Sequence, residues 1–433
     1  MTNKQYDVIV AGGGLAGFSA AIAAARNNCS VLIIEKNCCL GGCATMGLVT
    51  PMMKNVDSSN KPLNPGLFDE ITGRLTETGD CAAHSNGNAG WFNPEKLKIL
   101  LDEMCEENKV DVLFETQVVG AMTDNNLVVS VNCINKAGLV QFDADYYVDA
   151  TGDADLASYA GVSFEADEHQ ALSLRFVMDN VDVCRLSEWL TELEPEMVMS
   201  SVDFTEQNTV LLTTAHTSED IGWKLKPYFQ LGIRDGVILP EDAEYFQIFT
   251  IPGQSNAVAF NCPRIYSDKT LNPLNPKDIS YAYIQGRKQI KRLEKFCKTY
   301  LTGFEDAYLS QIAPNLGVRV SRRINGVYKL TEDDVLSGKK FENPAAKSNY
   351  PVDIHGDSKQ NSRLVHLDKD NFYEIPIESL MCKEFSNLIV VGKCLSANFA
   401  AQASARIQPN CIAMGESAGK YVSGRINEKR IQL

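Results

Sequence analysis

No apolar run in this chain approaches the ~20 residues that a bilayer-spanning helix needs, so no such helix is expected. Positive charge is scarce too: 41 Lys and Arg stand against 55 Asp and Glu, a formal net charge of −14. Nucleic acids and anionic membranes both call for clustered Lys and Arg, so neither is expected as a partner. Histidine occurs five times in 433 residues. The one cysteine cluster, Cys38, Cys39 and Cys43, has no histidine near it in sequence and no second Cys-x-x-Cys, so no metal site is expected. Thirteen cysteines are an odd number, which points to free thiols in a reducing compartment. Met1 to Tyr6 is polar and leads straight into an apolar run. No signal peptide is expected, and the expected location is cytoplasmic. Internal repeats and low-complexity segments are also missing.

What is present is concentrated at the start. Val8-Ile9-Val10-Ala11 reads as a buried parallel strand, and Gly14 to Asn27 as an alanine-rich helix. Between them Gly12, Gly14 and Gly17 form Gly-x-Gly-x-x-Gly. The first glycine permits the tight turn, the second lets a pyrophosphate approach the backbone, and the third lets helix and strand pack closely. The helix N-terminus offers N–H groups and a positive dipole end to phosphates. Gly12, Gly13, Gly14, Leu15, Ala16 and Gly17 are therefore expected around a dinucleotide. Val31 to Ile34 is a second strand, and Glu35 at its end can accept hydrogen bonds from a ribose, with Lys36 beside it. An acid there favours a free 2′-hydroxyl over a 2′-phosphate. No second Gly-x-Gly-x-x-Gly follows a strand, so no built-in NAD(P)H domain is expected.

Gly41-Gly42, followed by Cys43, Ala44 and Thr45, decides between FAD and NAD. This extension resembles the FAD-dependent oxidoreductases of the glutathione reductase superfamily. Their disulfide-reducing members carry Cys-x4-Cys just after this turn. Here Leu48 stands five residues beyond Cys43, and Cys38 lies before the turn, so no redox disulfide is expected. A redox role for Cys43 by itself stays open.

At this length two domains are expected. Residues 1–165 with 370–433 read as a discontinuous α/β FAD-binding domain of Rossmann type, three-layered, with a parallel sheet and a β-meander. Residues 166–369 carry most of the prolines and mixed strand and helix signals, and read as an inserted α+β substrate or capping domain. Pro94, with Asn93 as cap, starts a helix whose Leu97, Leu100, Leu101 and Met104 face a core. Val110 to Val119 is expected as a strand that brings Val118 to the cofactor. Leu127–Ile134 and Leu139–Val148 are expected as a hairpin. Asn28 suits the left-handed stop of the first helix. Asp153 and Asp155 are expected to cap a helix running to Ala160, and Tyr283–Tyr300 to form a basic amphipathic helix.

Asp149-Ala150-Thr151-Gly152 ends a strand and resembles the Ala-Thr-Gly segment that lies near the pyrophosphate in these flavoproteins. Gly392 closes a later buried strand, and Arg406-Ile407-Gln408-Pro409-Asn410-Cys411-Ile412 follows. Pro409 suits a first helical turn, whose freed Asn410, Cys411 and Ile412 N–H groups are expected to face the flavin N1–C2=O edge. With Gly41–Gly47, Gly317–Arg323 and Tyr350–His355, these segments resemble one large family of FAD-dependent oxidoreductases, similar to the flavoprotein subunits of fumarate reductase and succinate dehydrogenase. The resemblance implies that Arg406 grips a substrate carboxylate. It also implies non-covalent FAD, because residues 43–53 contain no histidine. His355 is a candidate for substrate chemistry, and Arg322 and Arg323, with Arg319, for an anion clamp. The expected activity is hydride transfer between flavin and a small anionic substrate, with an electron acceptor or donor that the sequence does not name. A flavoprotein electron-transfer subunit needing a partner protein, and an RNA-modifying flavoenzyme, are the alternatives.

Overall fold

A computed structural model describes residues 5–205, 209–216, 222–356 and 362–432. Tyr6–Ala11 is the central strand of a five-stranded sheet. The order across it is Leu388–Val390, Ala144–Asp149, Tyr6–Ala11, Val31–Ile34 and Asp111–Leu113. Every neighbouring pair runs parallel. A parallel sheet buries both faces, which is why Val8–Ala11, Val31–Ile34 and Leu388–Val390 are apolar throughout. Alternation along the central strand divides the work: Val8 and Val10 enter the core on the helical side, Ile9 and Ala11 the core on the other. On that other side lies a three-stranded antiparallel meander of Gln117–Asp124, Leu127–Asn135 and Gly138–Phe142. Helix, parallel sheet and meander make the three layers.

The glycines set the spacing of the helical layer. The helix Leu15–Arg26 packs along the C-terminal helix Gln408–Gln432. A Cβ on Gly415 would stand 2.0 Å from the Ala16 carbonyl oxygen, and one on Gly419 2.3 Å from that of Ala20. Gly17 meets the Gly12 carbonyl at the same 2.0 Å.

Local readings held or shifted for identifiable reasons. Asn28 is left-handed at φ 65°, and the Asn93 carboxamide oxygen accepts from the Glu95 N–H at 3.1 Å above the helix Pro94–Glu107. The strand expected over 110–119 breaks at Phe114–Thr116, because Asp111–Leu113 joins the parallel sheet and the chain beyond it the meander. The second hairpin arm breaks likewise at Asp143. The helix Asp155–Ala160 is capped neither by Asp153 nor by Asp155. Asp149, from the strand end, accepts from the Ala157 N–H at 2.8 Å.

The second sheet is antiparallel and six-stranded, in the order Ser200–Phe204, Val210–His216, Phe246–Ile251, Gln254–Phe260, Phe176–Asp179, Tyr308–Ile312. Its core, apart from Leu48, is drawn from residues 172–316 and includes one face of the long helix Pro276–Tyr300. From Leu330 through Ile375 the buried apolar residues join the core of the first helix instead. The apolar packing thus divides nearer residues 316–330 than at the expected boundary of 369.

Candidate active site

Two cavities meet along the line where these cores adjoin. The first is a groove of about 270 Å³ over the glycine loop, lined by Gly12, Gly14, Glu35, Lys36, Val118, Ala150, Thr151 and Gly152 among others. Gly12 turns at φ 99°, a conformation that only glycine adopts without strain. A Cβ on Gly14 would meet nothing closer than the Gly42 Cα at 4.0 Å, so the backbone lies bare toward the groove. No side chain caps this helix and no acid occupies its first turn, which leaves its positive end for a bound anion. Glu35 is buried at 5% exposure. One carboxylate oxygen accepts from the Gly13 N–H at 2.6 Å, the other from the Asn37 N–H at 2.8 Å.

The second cavity, about 480 Å³, shares Cys43, Val318 and Lys393 with the groove. Arginines converge on it from separate segments. Arg175 precedes the strand Phe176–Asp179, and Arg264 follows Gln254–Phe260. Arg319 lies in an extended run, and Arg406 sits at the turn before the C-terminal helix. Arg175 donates to the Asn261 carboxamide. Arg319 donates to the Ala171 carbonyl at 2.6 Å. The Arg264 guanidinium lies over the Tyr245 ring, 4.0 Å from its centre, and meets His355 Nδ1 at 2.7 Å. Since arginine can only donate, Nδ1 accepts and Nε2 carries the proton. Nε2 donates it toward the Asp353 carboxylate, with Nε2 and Oδ2 3.0 Å apart. The same carboxylate accepts from the Tyr350 hydroxyl at 2.8 Å and lies 3.9 Å from Arg406.

Electrostatics follow from crowding like charges in a dry site. Burial, then the Arg406, Arg175 and Arg264 charges, push Arg319 well below its ordinary pKa. Burial and the Arg319 charge push His355 down to about 3, so it is neutral. Burial works against ionisation of Asp353, but the His355 hydrogen bond and the Arg406 charge outweigh it and hold the carboxyl below its usual range. Burial and the neighbouring carboxylate raise Tyr350, so its phenol keeps its proton. Among the described residues, the lining is a set of arginines with one carboxylate, Asp353, an arrangement whose chemistry suits an anion.

A family model described as FAD dependent oxidoreductase matches residues 7–432, almost the entire chain. The chain belongs to the FAD-dependent oxidoreductases. No curated protein matches it. Solved structures with a similar course include a geranylgeranyl bacteriochlorophyll reductase-like protein from Thermoplasma acidophilum, 14% identical, over 98% of this chain and 80% of that one, TM-score 0.48. A p-nitrophenol 4-monooxygenase from Pseudomonas putida is 10% identical, over 98% and 82%, TM-score 0.48. A flavin-dependent brominase is 13% identical, over 98% and 80%, TM-score 0.47. FAD is the cofactor of this oxidoreductase, and the groove fits it. The bare Gly14 backbone and the uncapped helix end would take the pyrophosphate, and Glu35 the ribose.

The structure sorts the residues expected from sequence. Gly13, Leu15, Ala16 and Gly17 shape the loop and helix start behind the lining. Gly41, at φ 96°, closes against Gly13, whose carbonyl accepts its N–H at 2.9 Å. Ala44 and Thr45 are buried behind that turn, with the Thr45 hydroxyl on the Leu40 carbonyl at 2.6 Å. Cys43 reaches both cavities, and all thirteen cysteines are free thiols. Gly392, at φ 83°, lies against Ala16. Asn410, Cys411 and Ile412 do not line either cavity. The helix starts at Gln408, ahead of Pro409, so the Cys411 N–H is already bonded to the Ile407 carbonyl. The Asn410 side chain is tied to Asn55 and Ser348. Ile407 and Gln408 face the cavity in their place.

Arg406 and His355 both reach the cavity, but Arg322 and Arg323 do not. Residues 318–322 are not helical, and Arg323–Ile324 pairs with Phe164–Glu165, so successive side chains diverge. Arg322 pairs with Asp155 at 2.9 Å, and Arg323 with Glu168 at 2.7 Å. The arginine of this run that lines the cavity is Arg319, together with Arg175, Arg264 and Arg406 from elsewhere in the chain. Sequence reasoning missed Arg175, Arg264, Tyr245 and Lys393. Lone arginines at strand ends carry no local signal. Lys393, directly after Gly392, was the one with a visible context; its ammonium pairs with Asp153 at 3.0 Å.

Proposed function

We propose that this enzyme exchanges a hydride between a small anionic organic substrate and non-covalently held FAD. When bound, FAD supplies a two-electron acceptor or donor. The chain supplies everything that selects and orients the substrate. One observation carries the reading: Arg175, Arg264, Arg319, Arg363 and Arg406 line a cavity that opens onto the dinucleotide groove through Cys43, Val318 and Lys393. Arg406 would orient the anion, since its guanidinium presents a planar fork to a carboxylate. The likeness of Ala405–Asn410 to the arginine segment of fumarate reductase subunits supports the same role. His355 is a positioning group, because both its nitrogens are engaged, one by Arg264 and one by Asp353. The Tyr350 hydroxyl holds a proton on the same carboxylate. Electrons would enter or leave through a separate acceptor or donor, as no second strand-linked Gly-x-Gly-x-x-Gly exists. An anaerobic screen of small organic acids, following bleaching of the flavin absorbance, tests the reading. Bleaching by acids and not by their uncharged amides supports it. Bleaching by neutral compounds alone overturns the anionic substrate. FAD that stays with acid-precipitated protein overturns the non-covalent part.

A further inference from the structure

We infer that the exposed face of the long helix Pro276–Tyr300 is the docking surface for an acidic, one-electron carrier protein that exchanges electrons with the FAD. This rests on the reading that electrons enter or leave through a separate acceptor or donor, and it supplies the surface and the chemistry of that partner. Lys277, Arg287, Lys288, Lys291, Lys295 and Lys298 are all exposed. At 3.6 residues per turn they fall within roughly a third of the helix circumference, a single stripe. None of the six makes an ion pair among the described residues. The acids of the helix are engaged elsewhere: Asp278 is buried and pairs with Lys269 at 2.7 Å, and Glu294 accepts from the Leu309 N–H at 3.2 Å. Arg292, the remaining cation, pairs with Asp242 at 2.5 Å.

A solvated helix face ordinarily mixes the two signs of charge. This stripe carries one sign, on a chain of net charge −14, so it attracts an acidic surface that the chain as a whole repels. Tyr281 and Ile284 lie in the same stripe, 39% and 53% exposed. They form a small apolar centre flanked by Lys277 and Lys288, the anatomy of an interface. From Lys277 to Lys298 the stripe is about 32 Å long and about 10 Å wide, a size that suits a transient redox encounter better than a permanent complex. Position decides what the encounter is for. On its adjoining face the same helix places Ile279 and Tyr283 in the lining of the dinucleotide groove. The Tyr283 hydroxyl donates to the Pro314 carbonyl at 2.9 Å, and Arg287 of the stripe lies 5.4 Å from the Tyr283 ring centre. A carrier on the stripe therefore sits against the wall of the groove that fits FAD. When substrate is oxidised, two electrons leave one at a time on two oxidised carriers and two protons go to solvent. When substrate is reduced, the same traffic runs in reverse.

The test mixes the FAD-loaded full-length protein anaerobically with a reduced, acidic plant-type ferredoxin as the probe and follows bleaching of the flavin absorbance by stopped flow. Exchange should slow at least about tenfold as ionic strength rises from about 0.05 to about 0.5 M, because salt screens the charges that steer the encounter. Reversing the stripe with Lys288→Glu, Lys291→Glu and Lys295→Glu together should slow low-salt exchange about tenfold or more and flatten its salt dependence. FAD content and melting point should stay those of the parent. The same charge change on exposed lysines elsewhere, Lys96→Glu, Lys136→Glu and Lys383→Glu together, should keep the parental rate. Tyr281→Ser with Ile284→Ser should weaken docking about tenfold and leave the salt slope unchanged. Salt-independent exchange in the parent, which needs no variant to observe, would overturn the inference. So would no exchange at all, a reversed stripe that exchanges at the parental rate, or a control that slows as much. Stripe-dependent dimerisation, or stripe-dependent sedimentation with phosphatidylserine vesicles, would assign the face to a second copy or a lipid surface and overturn it as well. Small acids that fail to bleach the flavin would remove the substrate reading and leave a stripe-dependent exchange standing. Bleaching by acids beside a stripe-independent exchange would remove the docking surface alone.

Discussion

The groove and the cavity are neighbours built by opposite means. The groove is built around backbone: glycines held at positive φ or in close contact, an uncapped helix end and strand ends, from residues 12–47, 116–118 and 150–155 with a few side chains beyond. The cavity is made of side chains from residues 175, 264, 319, 353, 355 and 406, gathered from five separate stretches of sequence. A backbone site demands particular residues at fixed spacing, because only glycine fits where a Cβ would meet a carbonyl at 2.0 Å. A side-chain site demands only that charges end up together, and long arginines reach a common point from many positions.

The sharpest way to break this contrast is to damage each site in its own currency. Gly17→Ala places a Cβ against the Gly12 carbonyl and between helix and strand. Overpacking against backbone should cost roughly 3 kcal/mol, with FAD content lost along with stability in denaturant titrations. A variant that keeps both would mean the helix can shift without opening the groove. Arg406→Lys should do the reverse. FAD stays bound and stability is kept, while flavin reduction by substrate slows on the order of a hundredfold, because a point charge positions the carboxylate loosely. Stopped-flow reduction at the parental rate would take Arg406 out of the reaction.

Glu35→Ala bears on both. As the proposed ribose acceptor, its loss should weaken FAD by about tenfold to a hundredfold. It also strips the Gly13 and Asn37 N–H groups of their acceptor, so stability should fall as well. An unchanged FAD dissociation constant would show that the carboxylate serves the loop alone.

A break confined to the cavity is the acid dependence of His355. Its pKa is depressed in the folded state to about 3, against an ordinary value near 6.5. The folded protein therefore binds fewer protons than the unfolded chain between these values, and stability must fall as pH drops through that window. The contribution is complete above about pH 6.5 and lost toward about pH 3. His355→Gln should flatten the stability profile over that range. His355 seen by NMR, assigned through its absence in His355→Gln, to titrate near neutrality would contradict the locked Arg264–His355–Asp353 chain.

Legibility followed the range of the interactions. The first strand, glycine loop, helix and Glu35 form a local unit, so each was readable from spacing. Asn93 and Asn28 were readable for the same reason, since caps and left-handed stops involve only a few residues. The strand over 110–119 and the hairpin arm over 139–148 were misread in extent, because apolar alternation does not say which sheet a residue will join. Arg322 and Arg323 were misplaced on the supposition of a helix. In an extended run each successive side chain turns away from the last, and only Arg319 reached the cavity.

The sequence by itself determined the dinucleotide groove and the parallel layer around it, because the sterics of glycine and the burial of a strand leave little choice of residue. Only the tertiary structure decided which of the basic side chains would share a cavity. That choice depends on how two cores come together and on which cations find a carboxylate elsewhere. Arg322, Arg323 and Arg363 did. Among the described residues Arg175 and Arg319 did not, and long-range electrostatics of that kind leave no local pattern to read.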